Sequence, residues 1–365
     1  MIALYVSGHG FGHASRQIEV INALLARRPS LALAVVSDAS PRLFARTVRG
    51  RITCVTRPCD TGVAQIDSLL FDATATIARA ETFHRHLEAR AADEAAWLRT
   101  TGVHLVVGDI PPLAFAAARA AGLPSVAIGN FTWDWIYAGF EEASSAPALL
   151  PAIRAAYRQA TVAWQMPIGG GFGVFPQVRD LPMIARHARH TPVQVRRALG
   201  LPEDRPLVLV SFGGYGAAGP RFELLDCLDR WGVVLVVEGG RTGTPLPAGL
   251  LEVEEDFLYA QGFRYEDLVS AVDAVVTKPG YGILSECIAN GTAMLYTSRG
   301  HFPEYDVMVA EMPRYLRCRF IEQEALLGGR WRRALESLLA QPPPPERLPT
   351  DGADVAAERL LDMIE

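Results

Sequence analysis

Nothing in this sequence pairs its cysteines. The five (Cys54, Cys59, Cys227, Cys287, Cys318) form an odd set without zinc-type spacing, and four of them sit in or beside apolar runs. They are expected to be buried thiols in a reducing compartment. No apolar run is long enough to span a bilayer, and the chain enters a strand at Ile2 with no basic leader or cleavage site, so the expected location is the cytoplasm. Basic charge is scarce as well. A formal net charge of −5 argues against a nucleic-acid binder, and the local basic clusters at 186–197 and 314–319 read as solvated faces. No Asp-x-Asp pair follows a strand, so no metal site of that kind is expected.

What is present is a twofold pattern of strands and helices. The 365 residues, half of them apolar, suit two domains that each bury a core. Short apolar runs at 2–6, 31–36, 51–55, 105–107 and 125–128 read as buried parallel strands, with helices between them and a largely helical stretch at 68–100. This gives a doubly wound first domain at 1–165. Residues 166–206 are rich in proline and glycine and read as an interdomain linker with a short helix at 192–199. The strand pattern restarts at 207–210 and defines a second domain at 207–345, followed by the stiff prolines 342–345 and a last helix within 346–365 that can return to the first domain. The fold class is therefore α/β, with two doubly wound, Rossmann-like domains facing a cleft.

Each domain opens with a strand, a glycine loop and a helix. In the first loop, Ser7-Gly8-His9-Gly10-Phe11-Gly12-His13, the dinucleotide fingerprint requires a third glycine where His13 stands, and Asp38 lies too far along to be its ribose acid. A dinucleotide oxidoreductase is disfavoured. The second loop is Ser211-Phe212-Gly213-Gly214-Tyr215-Gly216. A third strand, turn and helix unit, 275–291, carries Lys278, Gly280, Tyr281, Gly282 and Glu286. Helix N-terminal N–H groups and Lys278 suit a phosphate there, and Glu286 suits ribose hydroxyls. The plainer reading is an ordinary turn with one surface lysine. The aromatic run 130–137, with Trp133, Asp134 and Trp135, has two readings as well: a wall for a ring-shaped acceptor, or a lid on the domain core.

These motifs together resemble glycosyltransferases of the GT-B fold. Residues 277–286 are similar to the nucleotide-sugar signature of the UDP-glycosyltransferases, with Lys278 in place of the phosphate-binding histidine and Glu286 matching the ribose-binding glutamate. The loop 8–16, the run 130–137 and the 278–286 pattern also resemble the N-terminal glycosyltransferase-like domain of plant L-arabinokinase. The glycine- and serine-rich motif of that protein's kinase half is not found, so sugar phosphorylation is not expected. The resemblance implies an inverting, metal-independent transferase with a UDP-linked sugar donor, an unknown acceptor and no other cofactor. It assigns the base to His13 and its orienting partner to Asp109, with His9 as the competing histidine. It assigns donor contacts to Gly10, Gly12, Ser211, Gly213, Phe263, Lys278, Gly280, Tyr281, Gly282, Glu286 and Glu304, and acceptor contacts to Trp133, Asp134 and Trp135. A hydrolysing sugar-nucleotide epimerase and a non-catalytic sugar-nucleotide-binding protein remain open at this point.

Overall fold

A computed structural model of the protein describes residues 1–67, 69–212, 221–238, 246–300 and 302–365. Fifteen strands occur among these residues. The first domain contributes β1 (Ile2–Val6), β2 (Leu33–Ser37), β3 (Thr53–Thr56), β4 (Ala64–Gln65), β5 (Phe71–Asp72), β6 (Leu105–Asp109), β7 (Ser125–Gly129), β8 (Val162–Gln165) and β9 (Val178–Asp180). The second contributes β10 (Leu207–Ser211), β11 (Gly232–Val237), β12 (Leu250–Glu254), β13 (Ala274–Thr277), β14 (Ala293–Tyr296) and β15 (Cys318–Phe320).

The large sheets run β3-β2-β1-β6-β7-β8-β9 and β12-β11-β10-β13-β14-β15, every pairing in them parallel. β1, β6, β7 and β13 are buried along their whole length, which is why they read as unbroken apolar runs rather than alternating ones. In both sheets the strand order reverses once, between β1 and β6 and between β10 and β13. Such switch points open a crevice at the carboxyl ends of the strands, and ligands bind there. The first glycine loop, Asp109 and Lys278 leave the sheets at these two points, and β10 ends there at Ser211.

One boundary differs from that expected. Val178–Asp180 pairs with β8 through Ala163↔Val178 and Gln165↔Asp180, so the first domain continues to Asp180 and the linker starts later than residue 166. This edge strand is three residues long and wholly exposed, so it carries no apolar signal. The short linker helix Pro192–Ala198 is present, started by a capping box of Thr191 and Gln194. The last helix, Gly352–Asp362, does return to the first domain. It packs along the first helix, Gly10–Arg27, with Ala356, Ala357 and Leu360 fully buried in the same core as Ile18, Ile21 and Leu24. Asp351 precedes it without a side-chain cap.

Candidate active site

The first loop leaves β1 and turns at Gly10, whose φ of +69° favours glycine. The Gly10–Arg27 helix starts there with no side-chain cap on its first N–H groups. His13, one turn in, points toward the end of β6. Its Nδ1 lies 2.8 Å from Oδ1 of Asp109, and both side chains are buried. The expected base and its partner are thus together at the switch point.

Asp109 is shared. Arg16 donates to it through Nε at 2.6 Å and Nη2 at 2.5 Å, and Gln17 adds a bond at 2.8 Å. Burial alone would raise this carboxyl, but Arg16 and then His13 bring it down to about 2. Arg16 Nη2 also lies 3.0 Å from His13 Nδ1. An Nδ1–H aimed at the carboxylate leaves the Nε2 lone pair, which has no protein partner among the described residues, as the basic site.

His9 is a different case. The backbone N–H of Val63 donates to its Nδ1 at 3.3 Å, which puts the proton of the neutral ring on Nε2. Burial, then the charges of His13, Arg299 and Lys278, depress its pKa to about 3. A ring held neutral with Nε2 protonated offers a donor there, whereas His13 offers a lone pair at Nε2.

Across the cleft, β13 ends at Thr277, and the Tyr281–Asn290 helix begins after the Gly280 N-cap, again with no side-chain cap. Gly282 and Gly12 touch: a Cβ on Gly282 would stand 3.4 Å from the Gly12 Cα. Two helix N-termini therefore converge, one from each domain, and their partial positive charges add. Half-buried Lys278 stands beside them, its pKa lowered to about 8 by burial and by Arg299. Arg299 is buried too, with its guanidinium 4.0 Å from the Phe302 ring and only a long 3.9 Å approach to Glu304. Lys278, Arg299 and the helix end make a strongly anion-favouring pocket.

A chain of buried hydrogen bonds joins the domains. Arg16 Nη1 donates to Asn130 Oδ1 at 2.8 Å, and Asn130 Nδ2 donates to Glu304 Oε1 at 2.8 Å. Tyr281 lies under the Arg16 guanidinium at 5.6 Å and bonds the Pro167 carbonyl through its hydroxyl. It therefore packs across the cleft, where the sequence reading had it contact the donor.

Other expected residues are placed differently. Ser211 Oγ accepts from the Tyr265 hydroxyl, and Gly213 lies outside the described residues. Phe263 is covered edge-on by the His190 ring at 4.7 Å. Glu286 is buried and accepts from Arg186 Nε at 2.8 Å and from Nη2, while its Oε2 has no partner. Both residues thus face the linker, and Glu286 Oε2 is left buried with no hydrogen-bond partner among the described residues. The expected acceptor wall is corrected. Trp133 is fully buried, with Nε1 bonded to Asp60, and Asp134 is buried and paired with Arg154. Only Trp135 is half-buried, packed beside Gly170 and Gly171. Sequence reasoning missed Arg16, Asn130, Arg299 and Asp60. Asp60 accepts from Ser7 Oγ at 2.9 Å and Trp133 Nε1 at 2.8 Å, and burial lifts its pKa to about 6.

No protein-family model matches the sequence. Over 99% of its length the chain is 28% identical to L-arabinokinase of Arabidopsis thaliana, covering 34% of that protein. Over 206 residues, 53% of the chain, it is 29% identical to UDP-N-acetylglucosamine–N-acetylmuramyl-(pentapeptide) pyrophosphoryl-undecaprenol N-acetylglucosamine transferase of Clavibacter michiganensis, covering 51% of it. The chain thus spans between a third and about half of the curated relatives it matches. Among solved structures, the glycotransferase of kitacinnamycin matches 99% of the chain and 93% of its own at a TM-score of 0.61 and 17% identity. Phytolacca americana UGT2, complexed with UDP-2-fluoroglucose and pterostilbene, matches 99% and 93% at 0.61 and 13%. The architecture is the GT-B glycosyltransferase fold. No helix among the described residues is long and apolar enough to cross a membrane.

Proposed function

We propose that this chain, built on the GT-B fold, transfers a sugar from a UDP-linked donor to an acceptor hydroxyl with inversion at the anomeric carbon. His13 Nε2 takes the hydroxyl proton as the acceptor oxygen attacks, and the Asp109 carboxylate stabilises the imidazolium that forms. The bond from the anomeric carbon to the diphosphate breaks on the opposite face, its electron pair leaving with the diphosphate. Lys278, Arg299 and the amides at the start of the Tyr281–Asn290 helix meet that growing charge without a metal ion. Glu304, fixed by Asn130, is aimed at donor sugar hydroxyls.

One observation carries this reading: the His13–Asp109 pair and the cationic helix end leave the switch points of two sheets and meet across the Gly12–Gly282 contact. The names of the relatives and structural neighbours support sugar transfer from a nucleotide sugar. The deciding experiment is a panel of nucleotide sugars and NAD, read first by thermal shift and then by release of nucleoside diphosphate. A UDP-sugar at a hundred times its dissociation constant adds about 2.7 kcal/mol of apparent stability. Stabilisation by NAD alone would overturn the assignment, and a product that keeps the donor's anomeric configuration would overturn inversion.

A further inference from the structure

Behind the first glycine loop, the first domain holds a cavity of about 700 Å³. That volume suits a molecule the size of a substituted sugar or hydroxy acid. Gly8, His9 and Asp60 form its loop end, and Arg79, Phe83 and Arg90 form the other. Asp60 is held by Ser7 and Trp133, and the Trp133 ring lies 6.1 Å from that of His13. The loop end of the cavity therefore adjoins the candidate base.

The far end is cationic and unpaired. Arg90 lies over the Phe83 ring at 4.3 Å, and its Nε is buried with no hydrogen-bond partner. Arg79 is exposed into the cavity mouth. Among the described residues, neither has a carboxylate partner. Neighbouring arginines do: Arg57 meets Glu94 at 3.1 Å and Arg85 meets Glu81 at 3.3 Å. Two guanidinium groups in a concave site, one with a desolvated donor left open, match a planar or tetrahedral oxyanion. Asp38, at the loop end beside Gly8, repels an anion and so favours one orientation.

We propose that this cavity binds the acceptor, and that the acceptor is a small anion, a carboxylate or phosphate ester. Arg79 and Arg90 hold its acid group, and its hydroxyls lie at the loop end, where the His9 and His13 rings both border Trp133 and His13 takes the proton of the reacting one. Calling the ligand an acceptor rests on the transferase reading above; calling it an anion does not.

The test is a binding measurement that needs no turnover. Glucose, glucuronate and glucose 6-phosphate are titrated calorimetrically into the wild type and into Lys278→Ala, where the donor phosphate site is weakened. One charged sugar is expected to bind about tenfold or more tighter than glucose in both proteins. Which one it is separates the carboxylate from the phosphate source. Arg79→Gln, Arg90→Gln and the pair should progressively erase the preference, and the exposed Arg79 gives a variant certain to be read even where the pair folds poorly. Equal binding of all three sugars, binding of none, or a preference that survives both arginine variants overturns the proposal. If donor hydrolysis persists while the anion preference is missing, only the cavity assignment falls. If the preference is present and no donor is ever turned over, only the transferase reading falls.

Discussion

Asn130 holds Glu304 of the second domain with its Nδ2 and Arg16 of the first with its Oδ1, each at 2.8 Å. One amide thus couples the carboxylate proposed to meet the donor sugar to the guanidinium that anchors Asp109. Asn130→Ala breaks both bonds at once. A hydrogen bond to a charged group contributes about 1.5–3 kcal/mol, so kcat/KM should drop by roughly ten- to a hundredfold. UDP affinity, set by Lys278 and Arg299, should stay within about threefold of wild type. Steady-state kinetics beside calorimetry checks this, and equal losses in both would mean that Asn130 only holds the domains together.

His13→Ala and Asp109→Asn should part company. The first removes the proposed base and should slow transfer by about 10² to 10⁴ with donor binding nearly unchanged, and its loss of one buried hydrogen bond to a charged group costs about 1.5–3 kcal/mol of stability. The second leaves Arg16, which is 6% exposed, without its counter-charge. Stranding a buried cation costs about 3–5 kcal/mol, so Asp109→Asn should melt well below His13→Ala. Circular dichroism melts of the two variants side by side would refute this if their midpoints agree.

Lys278 should make diphosphate binding pH-dependent. Burial and Arg299 lower its pKa to about 8, and a bound diphosphate favours the ammonium form. Affinity is therefore full below pH 8 and declines as pH rises through it. In Lys278→Arg the decline should vanish, because a guanidinium keeps its proton throughout. Titrations between pH 7 and 9 distinguish the two curves.

Two histidines should tilt stability in acid. The native pKa values of His9 and His84 are lowered from 6.5 to about 3 and about 4, chiefly by burial. Below pH 6.5 the unfolded chain takes up protons that the native state refuses, so stability falls as pH falls, by up to about 1.4 kcal/mol per pH unit for each histidine. Asp60, raised to about 6 by burial, acts in the opposite sense below that pH and offsets one of them. Urea unfolding should show stability falling by about 1.4 kcal/mol per pH unit between about pH 6 and 5, and His84→Gln should remove most of that slope.

Local patterns were legible and distant ones were not. Ile2–Val6 and Ala274–Thr277 stand out because a strand buried on both faces must be apolar throughout, and the loops after them announce the switch points. The His13–Asp109 pair was reached through the family likeness, and the structure brings the two side chains to 2.8 Å of each other. Val178–Asp180 escaped because an exposed three-residue edge strand is held by backbone bonds alone. Arg16, Asn130 and Glu304 make one network from positions 114 and 174 residues apart, which no spacing rule connects. Trp133 misled because an aromatic side chain reads the same whether it lines a cleft or fills a core, and its Nε1 had to find Asp60 before the answer was decided.

The Gly352–Asp362 helix seals the flank of the Gly10–Arg27 helix, and the ion pairs Arg27–Asp354 and Arg28–Glu365 fasten it there. A ribosome makes Asp354 and Glu365, respectively, 327 and 337 residues after the arginines that hold them. At about 5–20 residues per second, roughly 10 to 35 seconds separate the emergence of Asp180 from that of Asp362. Throughout that interval the first helix carries an uncovered apolar flank, so this domain is completed only after the second has been made, and its nascent form is the one that a chaperone has most reason to hold.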